Sequence, residues 1–500
     1  MKETKNYDSE FCGSLPIHMI NVVQTYGALI VVNKESGEII QISENVASLI
    51  SRPLNNIIGL PISSLIEGHL NTSTSKEKVP TVISFAGKKY LGFIHNKPTY
   101  YIIELNLESE TEATDQSFID VYLDLRDVMG LIENTVTLNE AAEKVAKELK
   151  KISRFDKVMI YRFDENWNGH VIAEEKEADM ESYMNFTFPA SDIPKQARDL
   201  YEKNPYRFIP DTGYKPVKLY PVINPATHTF IDISDCNVRG VTSVHLEYLS
   251  NMNVRASMST RIMKDGKLWG LLACHHKTPV RMNFRICAIF ELLSNIFSSK
   301  ISTLENKDDH VLNSTLTDIY TSLVEETFKS GNIAESLLSR DINLLGLFSA
   351  GGVVITGDTN IKKGQVPDAQ EIEDLMLWLQ TMESEKIYVT DRLPEEYDYA
   401  AEYKNIASGM IAIPVDTSRN EYILIFRPEV VQTVNWGGDP ETRINFEEDM
   451  KTYHPRFSFK LWQELVKGMS IPWRKEEIAM AENVQEFLRD FNNGKNYDKN

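Results

Sequence analysis

Short apolar or alternating runs, each followed by a turn and a returning run, recur in three separate blocks of this sequence. A short polar segment joins the two runs of a hairpin. One such segment is residues 33–37, whose asparagine and glycine are typical of a hairpin turn. The strand candidates are residues 28–32 and 38–42, then 157–163 and 170–173, then 351–357, 410–415 and 422–427. This pattern predicts an α+β fold with three domains, each an antiparallel sheet flanked by helices.

Amphipathic helices are predicted between these blocks. Residues 128–153 have apolar positions at helical spacing, which indicates one helical region before the second block. A longer stripe starts near residue 283 and continues towards Leu323; its apolar positions are Ile286, Phe290, Leu293, Phe297 and Leu304. Since this element is longer than one core needs, we expect a long helical spine shared between domains or between protomers.

Composition indicates a globular protein and excludes several classes of partner. The 500 residues are 42% hydrophobic, which is enough for several cores, and the net charge of -19 disfavours nonspecific binding to nucleic acid or anionic lipid. No apolar run approaches the roughly 20 residues of a membrane span, and the first residues lack the apolar core of a signal peptide. We therefore expect a cytoplasmic protein with neither nucleic-acid nor membrane partners.

The four cysteines are too few and too scattered for a disulfide framework, and no CxxC motif indicates zinc. Cys274 and Cys287 have apolar neighbours, as small core residues do. Cys12 differs because it lies near a polar N-terminus, where a reagent can reach the thiol. Judged alone, Cys12 is most simply an incidental terminal thiol.

The residues between Phe188 and His276 contain the most unusual chemistry of the chain. Asp192 lies between Pro189 and Pro194, and each proline fixes its own φ and restricts the residue before it, so this acid is restrained. Polar side chains follow among apolar residues: Arg207, Arg239, His245, Tyr248, Ser257, Ser259 and His275. Arginine binds carboxylates bidentately, and two serines spaced by two share one face of a strand. Together these residues predict a pocket for a flat, apolar, doubly acidic ligand.

Each of these residues also has an ordinary interpretation. Taken singly, Arg207 or Arg239 is more typical of a surface ion pair, and His245 of a core histidine. His275 and His276 would point to opposite sides of a strand, so a joint metal site is not expected. The sequence has no nucleophile elbow, Walker loop, zinc-protease motif or paired-carboxylate motif, so we do not expect an enzyme site.

Residues 433–473 form an irregular insert between the last strand and the terminal helix of the third block. Phe457, Phe459 and Leu461 alternate as residues of a strand do, whereas Phe459 and Trp462 also fall on one helical face. The pattern therefore does not distinguish a strand from a helix. The insert is either a loop with ordinary packing or a segment able to change its fold.

Several separated motifs, in order, resemble the photosensory core of bacterial phytochromes, which has the domain order PAS, GAF, PHY. The motifs are Cys12 with residues 15–18, residues 188–194, Arg239-Gly240, residues 245–249, residues 268–276 and residues 455–459. The resemblance implies an N-terminal extension (1–16), a PAS domain (17–115), a bilin-binding GAF domain (125–300), a PHY domain (301–491) and a polar tail (492–500). It also implies an N-terminal figure-of-eight knot in which Val23 is threaded, and it identifies residues 433–473 as the tongue of the PHY domain.

The same resemblance implies a chromophore and the residues that hold it. Cys12 would form a thioether with the ring A vinyl group of biliverdin IXα, and Val244 stands where relatives that attach other bilins have a cysteine. Asp192 and His245 would surround the pyrrole nitrogens; Arg207, Arg239, Ser257 and Ser259 would take the propionates; and His275 would bind the ring D carbonyl. The remaining implied contacts are Tyr161, Phe188, Ile193, Pro194, Tyr201 and Tyr248.

Light would then drive 15Z to 15E isomerisation and refolding of the tongue. The implied tongue and signalling residues are Trp436, Arg456, Ser458, Phe459, Trp462 and Trp473, with Arg456 pairing with Asp192 in the dark and Ser458 replacing it after light. The resemblance also implies a homodimer through the GAF and PHY helices. Because no kinase or cyclase motif follows the terminal helix, we expect either a truncated core or signalling through a separate kinase or regulator.

Two alternatives to this red/far-red photoreceptor stay open at the level of sequence. One is a bilin-binding protein that is not photochromic and signals by partner contact. The other, from the enzyme class, is a GAF-type bilin-modifying enzyme; beyond self-catalysed chromophore attachment, no motif supports catalysis.

Overall fold

A computed structural model describes most of the chain. The described residues are 20–68, 78–110, 116–281, 284–338, 341–357, 359–382, 385–416, 419, 421–440, 444–446, 453–455 and 457–497. They divide into two compact units, of which the first comprises Met1–Leu304 with Asn435–Trp462 and the second comprises Glu305–Val434 with Gln463–Asn500. Within the described residues, no helix has both the length and the hydropathy needed to cross a membrane.

The first unit contains two eight-stranded sheets. Fourteen of their sixteen strands are β1 (Val22–Val23), β2 (Gly27–Asn33), β3 (Ile39–Ser43), β4 (Ile66–Glu67), β5 (Lys78–Phe85), β6 (Lys88–Asn96), β7 (Tyr100–Glu110), β8 (Lys157–Phe163), β9 (Gly169–Lys176), β10 (Thr187–Phe188), β11 (Tyr206–Ile209), β12 (Val217–Tyr220), β13 (Ala256–Lys264) and β14 (Lys267–His276), and the other two come from residues 432–466. The N-terminal sheet has the order β1-β12-β3-β2-β7-β6-β5-β4, so a strand from the second block completes it. The predicted strands are present, although several are longer than the sequence pattern indicated.

The predicted hairpin between β2 and β3 shows why this sequence turns there. The Asn33 side chain accepts hydrogen bonds from the backbone N–H groups of Glu35 and Ser36 at 2.8 and 3.1 Å, which closes the turn. Gly37 has φ 69°, a conformation that other residues rarely adopt. The two strands then bury Ile30 and Ile42 in the core of this sheet.

The helices of the chain are α1 (Asn45–Leu49), α2 (Gln116–Glu133), α3 (Leu138–Ser153), α4 (Lys195–Lys203), α5 (Ser243–Asn251), α6 (Phe284–Ser330), α7 (Ile333–Leu338), α8 (Leu344–Leu347), α9 (Ala369–Gln380), α10 (Leu393–Glu396), α11 (Lys404–Ala407) and α12 (Lys475–Tyr497). The single helical region expected at 128–153 is in fact the end of α2 followed by α3. Thr137 separates the two, because its side chain accepts from the N–H of Glu140 and so begins a new helix.

The expected spine is α6, a helix of 47 residues that runs from one unit into the other. Its N-terminal part contributes the predicted stripe to the core of the first unit, with Phe290, Leu293 and Phe297 fully buried. Its C-terminal part contributes Leu316 and Leu323 to the core of the second unit. The helix ends at Ser330, later than the pattern predicted, because Gly331 adopts φ 67°.

The second unit is built on a five-stranded antiparallel sheet with the order β16-β15-β19-β18-β17. Its strands are β15 (Gly352–Ile355), β16 (Ile361–Gly364), β17 (Tyr388–Thr390), β18 (Gly409–Asp416) and β19 (Glu421–Arg427). Arg427 pairs with Glu477 of α12 at 2.5 Å in a buried ion pair, and its guanidinium stacks on Trp473 at 3.8 Å from the ring centroid. Trp473 thus packs within the second unit, where its indole also donates to the Thr390 carbonyl at 2.9 Å.

The tongue adopts strands where the sequence pattern was undecided. Its elements are β20 (Gln432–Gly437), β21 (Ile444–Phe446), β22 (Tyr453–Pro455) and β23 (Leu461–Val466). The second sheet of the first unit has the order β11-β13-β14-β8-β9-β10-β20-β23 and therefore ends on tongue strands. Trp436 of β20 pairs in parallel with Thr187 of β10.

Candidate ligand-binding site

A cavity in the first unit collects the residues that the sequence singled out. The space inside it that the centre of a water molecule can reach has a volume of about 220 Å³. Every described candidate for cofactor binding lines it: Tyr161, Phe188, Asp192, Ile193, Pro194, Tyr201, Arg207, Arg239, His245, Tyr248, Ser257, Ser259 and His275. Cys12 lies outside the described residues. The cavity is therefore built almost entirely from the stretch between Phe188 and His276.

One side of the cavity is positively charged and rich in hydroxyl groups. Arg207 on β11 lies opposite Ser259 on β13, and Ser257 follows two residues away on the same face. The Ser259 hydroxyl is 2.7 Å from the Tyr201 hydroxyl, so these two groups share a hydrogen bond. Burial lowers the pKa of Arg239 to about 10, and the positive charge of Arg207 is the second cause of this shift.

The N-terminal segment positions Arg239. Val23 forms an antiparallel bridge with Arg239, and the Gln24 amide donates to the backbone carbonyls of Phe208 and Arg239 at 3.0 and 3.1 Å. Gly240 must be glycine here, because a Cβ atom would lie 2.6 Å from a methyl group of Val22. A backbone contact between distant parts of the chain thus fixes a charged side chain of the cavity.

Two histidines lie in the cavity as neutral rings. Burial lowers the pKa of His245 well below 6.5, and the charges of Arg207, His275 and Arg239 lower it further. Burial also lowers the pKa of His275 to about 3, with further contributions from Lys157 and Arg207. His245 lies in the first turn of α5, which Thr242 caps by accepting from the His245 N–H at 3.4 Å.

Some buried polar atoms of the cavity have no hydrogen-bond partner among the described residues. They are Nε2 of His245, Nε of Arg207 and Oγ of Ser191. Leaving a buried polar atom unsatisfied costs about 1–3 kcal/mol. Atoms of this kind that line a cavity indicate a polar ligand or bound water.

Asp192 is restrained as the two prolines predicted. It ends a short 3₁₀ segment, Ala190–Asp192, whose last N–H donates to the Pro189 carbonyl at 3.0 Å. Its carboxylate accepts a hydrogen bond of 2.8 Å from the Tyr248 hydroxyl. Among the described residues that line the cavity, Asp192 is the only acidic one, so the arginines face little negative charge there.

Aromatic rings form the opposite wall. The rings of Tyr161 and Phe188 are 6.0 Å apart, and Tyr183 meets Phe188 edge to face at 5.6 Å. Sequence reasoning missed Tyr183, although the run of aromatic residues from Tyr183 to Phe188 was a signal. It also missed Lys157, whose buried ammonium lies 3.7 Å from the Tyr183 ring centroid behind this wall.

The tongue contacts this site within the first unit. Pro455 lines the cavity, and the Phe459 ring packs edge to face on Tyr248 with centroids 5.0 Å apart. His454 Nδ1 lies 2.9 Å from the carboxylate of Glu247 on α5. Ser458 and Trp462 are exposed, and Arg456 lies outside the described residues.

His275 and His276 point to opposite sides of β14, as predicted. His275 lines the cavity, whereas His276 Nδ1 lies 3.0 Å from Asp156 and its ring packs on Phe155. The two rings therefore have separate environments and do not share a site.

Known proteins resemble this chain over nearly all of its length. Family models described as phytochrome region, GAF domain and PAS fold match residues 316–496, 137–301 and 12–106. Cyanobacterial phytochrome B from Nostoc sp. is 35% identical over 95% of this chain and 65% of its own length. A bacteriophytochrome from Xanthomonas campestris is 29% identical over 96% of this chain and 78% of its own length.

Solved structures agree with this result. A bacteriophytochrome from R. palustris matches with a TM-score of 0.82 and 31% identity, over 97% of this chain and 99% of the solved chain. The photosensory core module of the Stigmatella aurantiaca phytochrome matches with a TM-score of 0.81 and 32% identity, over 96% and 97%. The chain spans 65% and 64% of the lengths of the two cyanobacterial phytochromes of Nostoc, which is less than two thirds.

Proposed function

Because the chain belongs to the phytochrome family and carries its PAS–GAF–PHY photosensory core, we propose that it is a red/far-red photoreceptor that binds biliverdin IXα covalently through Cys12. Membership of this family implies a bilin chromophore. The bilin would supply light absorption and the 15Z/15E isomerisation. The residues of the cavity would bind it, orient it and respond to its change of shape.

The observation that carries the proposal is a cavity that combines aromatic rings and two arginines with polar atoms of Arg207, His245 and Ser191 that have no partner among the described residues. Arg207 and Arg239 would hold the two propionates, since guanidinium groups bind carboxylates through paired hydrogen bonds. Nε2 of His245, which has no partner in the described part of the chain, suits a hydrogen bond within the tetrapyrrole site. His275, buried and neutral, would donate to or accept from ring D. These donors fit a flat, apolar, doubly acidic ligand.

The choice of biliverdin rests on two positions. Val244 precedes His245, so the chain has no thiol at the place where relatives that attach other bilins carry one. Cys12 is the thiol that the family resemblance assigns to attachment, and Cys274 and Cys287 are buried away from the cavity lining. Burial raises the pKa of the Cys274 and Cys287 thiols, which keeps them protonated and unreactive.

We also propose that Asp192 transmits the change to the tongue through Arg456. The sequence neighbours of Arg456 support this pairing: Pro455 lines the cavity, and Phe459 packs on Tyr248, which itself donates to Asp192. After illumination, Ser458 would take the place of Arg456 as the tongue refolds. A segment that can exchange one set of hydrogen bonds for another is a suitable two-state element.

Coexpression with a haem oxygenase, followed by absorption spectra under red and far-red light, tests the photoreceptor. We expect reversible spectra in the native chain. A stable band that does not change on illumination would favour a light-insensitive bilin carrier, and absence of bilin uptake would refute the proposal. Cys12→Ala should remove zinc-induced bilin fluorescence from a denaturing gel while retaining some noncovalent uptake, and Asp192→Ala should bind bilin but stall in photoconversion.

Signalling by the whole protein is also proposed. We propose a homodimer through the GAF and PHY helices, and exposed apolar side chains on α2 support it: Tyr122, Leu123, Met129 and Leu131. We propose that the protein acts in the cytoplasm, that a separate kinase or regulator reads its state, and that its own chemistry is limited to chromophore attachment. Light scattering on the native chain and on Leu131→Glu tests the dimer, which the charge should weaken.

A further inference from the structure

A second buried cluster lies in the first unit, where the N-terminal sheet meets residues 235–238. His95 at the end of β6 and Glu104 on β7 are 0% and 2% exposed, and their Nε2 and Oε2 atoms are 2.7 Å apart. Cys236 is 2% exposed. One ligand atom from each of these three residues lies within 4.8 Å of the other two. The chain thus brings a nitrogen, an oxygen and a sulfur together in its interior.

The other nitrogen of His95 is oriented by a second acid. Nδ1 lies 3.0 Å from Oδ2 of Asp235, which the Lys97 ammonium also approaches at 3.0 Å. Histidines that bind metals almost always donate their other ring N–H to a carboxylate or carbonyl, which fixes the tautomer and the ring. Glu104 is oriented as well, because its Oε1 accepts from the Val238 N–H at 2.9 Å.

We propose that Nε2 of His95, a carboxylate oxygen of Glu104 and Sγ of Cys236 form a zinc site that joins the N-terminal sheet to the segment lining the cavity. Mixed nitrogen, sulfur and oxygen ligands suit Zn²⁺, and calcium or magnesium would require oxygen ligands alone. Cys236 also lines the cavity, which can supply water for a fourth position.

The ligand atoms must move by about 1 Å or less, since those around Sγ of Cys236 lie within 4.8 Å of it. Ligand atoms around a tetrahedral zinc lie about 3.3–3.8 Å apart, given zinc–ligand bonds of about 2.0–2.3 Å. The 2.7 Å distance between His95 and Glu104 would open by less than about 1 Å, which rotation of the Glu104 side chain provides. Coordination releases the thiol proton of Cys236 and the Nε2 proton of a protonated His95. Two protons leave as one dication enters, so the net charge of the cluster is unchanged.

The consequence concerns Arg239. Residues 235–238 lead directly to this arginine, whose backbone pairs with Val23. A metal held by β6, β7 and Cys236 would clamp the approach to the cavity from the side of the N-terminal sheet. The site does not depend on the proposed chromophore, because no cavity arginine or histidine is a ligand.

The full chain without bilin is the material for the test, since a linear tetrapyrrole itself binds zinc. It should be purified without a histidine tag, stripped with a chelator, dialysed and titrated with Zn²⁺ alone or Co²⁺ alone. We expect about one zinc per chain by elemental analysis, and a cobalt-to-thiolate charge-transfer band in the near ultraviolet. Cys236→Ala should abolish both signals, whereas Cys274→Ala, the matched loss of another buried thiol, should retain them.

Asp235→Asn keeps every proposed ligand and should weaken zinc binding about 10- to 100-fold. This variant and circular dichroism guard against a fold defect in Cys236→Ala. If the native chain takes up no more zinc than Cys236→Ala and shows no thiolate band with cobalt, the proposal fails, and the cluster is a metal-free ion-pair network. That result would leave bilin binding untouched, because the two sites share no proposed ligand.

Discussion

Two groups of buried histidines in the first unit have opposite electrostatic environments. His95 has a carboxylate at each ring nitrogen; although burial lowers its pKa, Cys236, Asp235 and Glu104 raise it well above 6.5. His245 and His275 lie near Arg207, and burial together with this positive charge lowers the pKa of both rings. Both ring nitrogens of His95 have carboxylate partners, whereas Nε2 of His245 has no partner among the described residues.

The difference separates a histidine that has protein partners at both ring nitrogens before any metal binds from cavity groups whose buried polar atoms have no partner among the described residues. A fully hydrogen-bonded buried network stabilises a unique arrangement, but an unsatisfied polar atom costs free energy unless something else binds it. In the cavity, unsatisfied atoms of cationic and neutral side chains reduce the stability of the protein without ligand. An acidic ligand would remove this loss.

The largest expected effect is on the free energy of unfolding when His95 is replaced. His95→Ala would leave Glu104 buried without its imidazole partner, which should lower the free energy of unfolding by about 3–5 kcal/mol. His276→Ala is the control: the pair of His276 and Asp156 keeps about one-fifth of each side chain exposed, so its loss should cost less, about 1–2 kcal/mol. Urea unfolding of the protein without bilin measures both; equal losses would contradict the comparison.

The reverse pattern is expected for an arginine of the cavity. Arg207→Met removes a cation whose Nε has no partner among the described residues, so the protein without bilin should unfold at the same or higher urea concentration. Bilin affinity should fall about a hundredfold, or ~2.8 kcal/mol, as charge-assisted hydrogen bonds to a propionate are lost. Fluorescence titration with biliverdin measures the affinity, with and without Arg207→Met, in a Cys12→Ala background where binding is reversible. Unchanged affinity would show that the arginine does not bind the ligand.

The pH dependence of stability should also distinguish the two groups. The pKa of His275 is about 3 in the folded protein and about 6.5 when unfolded. Its stabilisation is therefore complete above pH 6.5 and is lost as pH falls towards 3, because only the unfolded chain binds the proton. The slope is about 1.4 kcal/mol per pH unit, or ~2 kcal/mol between pH 6.5 and 5.

His275→Gln should remove this contribution from the protein without bilin. Unfolding free energies at pH 6.5 and 5 give the slope for the native chain and the variant, and His276→Gln is the control. Identical slopes in native chain and His275→Gln would mean that His275 titrates normally in the fold.

The smallest effect is expected where the tongue meets the cavity. Phe459→Leu keeps an apolar side chain but loses the aromatic contact with Tyr248, worth about 1 kcal/mol. Tongue opening should therefore become about fivefold more frequent. Phe457→Leu is the control because Phe457 is 64% exposed. Limited proteolysis of the dark-state protein measures the opening; equal cleavage rates in the two variants would argue against the packing of Phe459.

The sequence by itself determined whatever depends on local periodicity. Strand candidates, the apolar stripe of α6 and the opposite faces of His275 and His276 follow from residue spacing, which the backbone imposes directly. The restraint on Asp192 follows from its two prolines. The cavity residues were identifiable because they lie within one stretch and match a known order of motifs.

Tertiary structure alone decided which distant residues meet. Nothing in local spacing brings His95 and Glu104 to Cys236, or Lys157 behind Tyr183, since these contacts depend on how sheets and loops pack. The sequence of the tongue fits both helical and strand periodicity. In the structure it forms β-strands, β20 pairs with β10, and Phe459 packs on Tyr248. Side-chain periodicity predicts a helix or a strand only where it is known which side chains are buried. For the tongue, the packing of the rest of the fold decides which side chains those are.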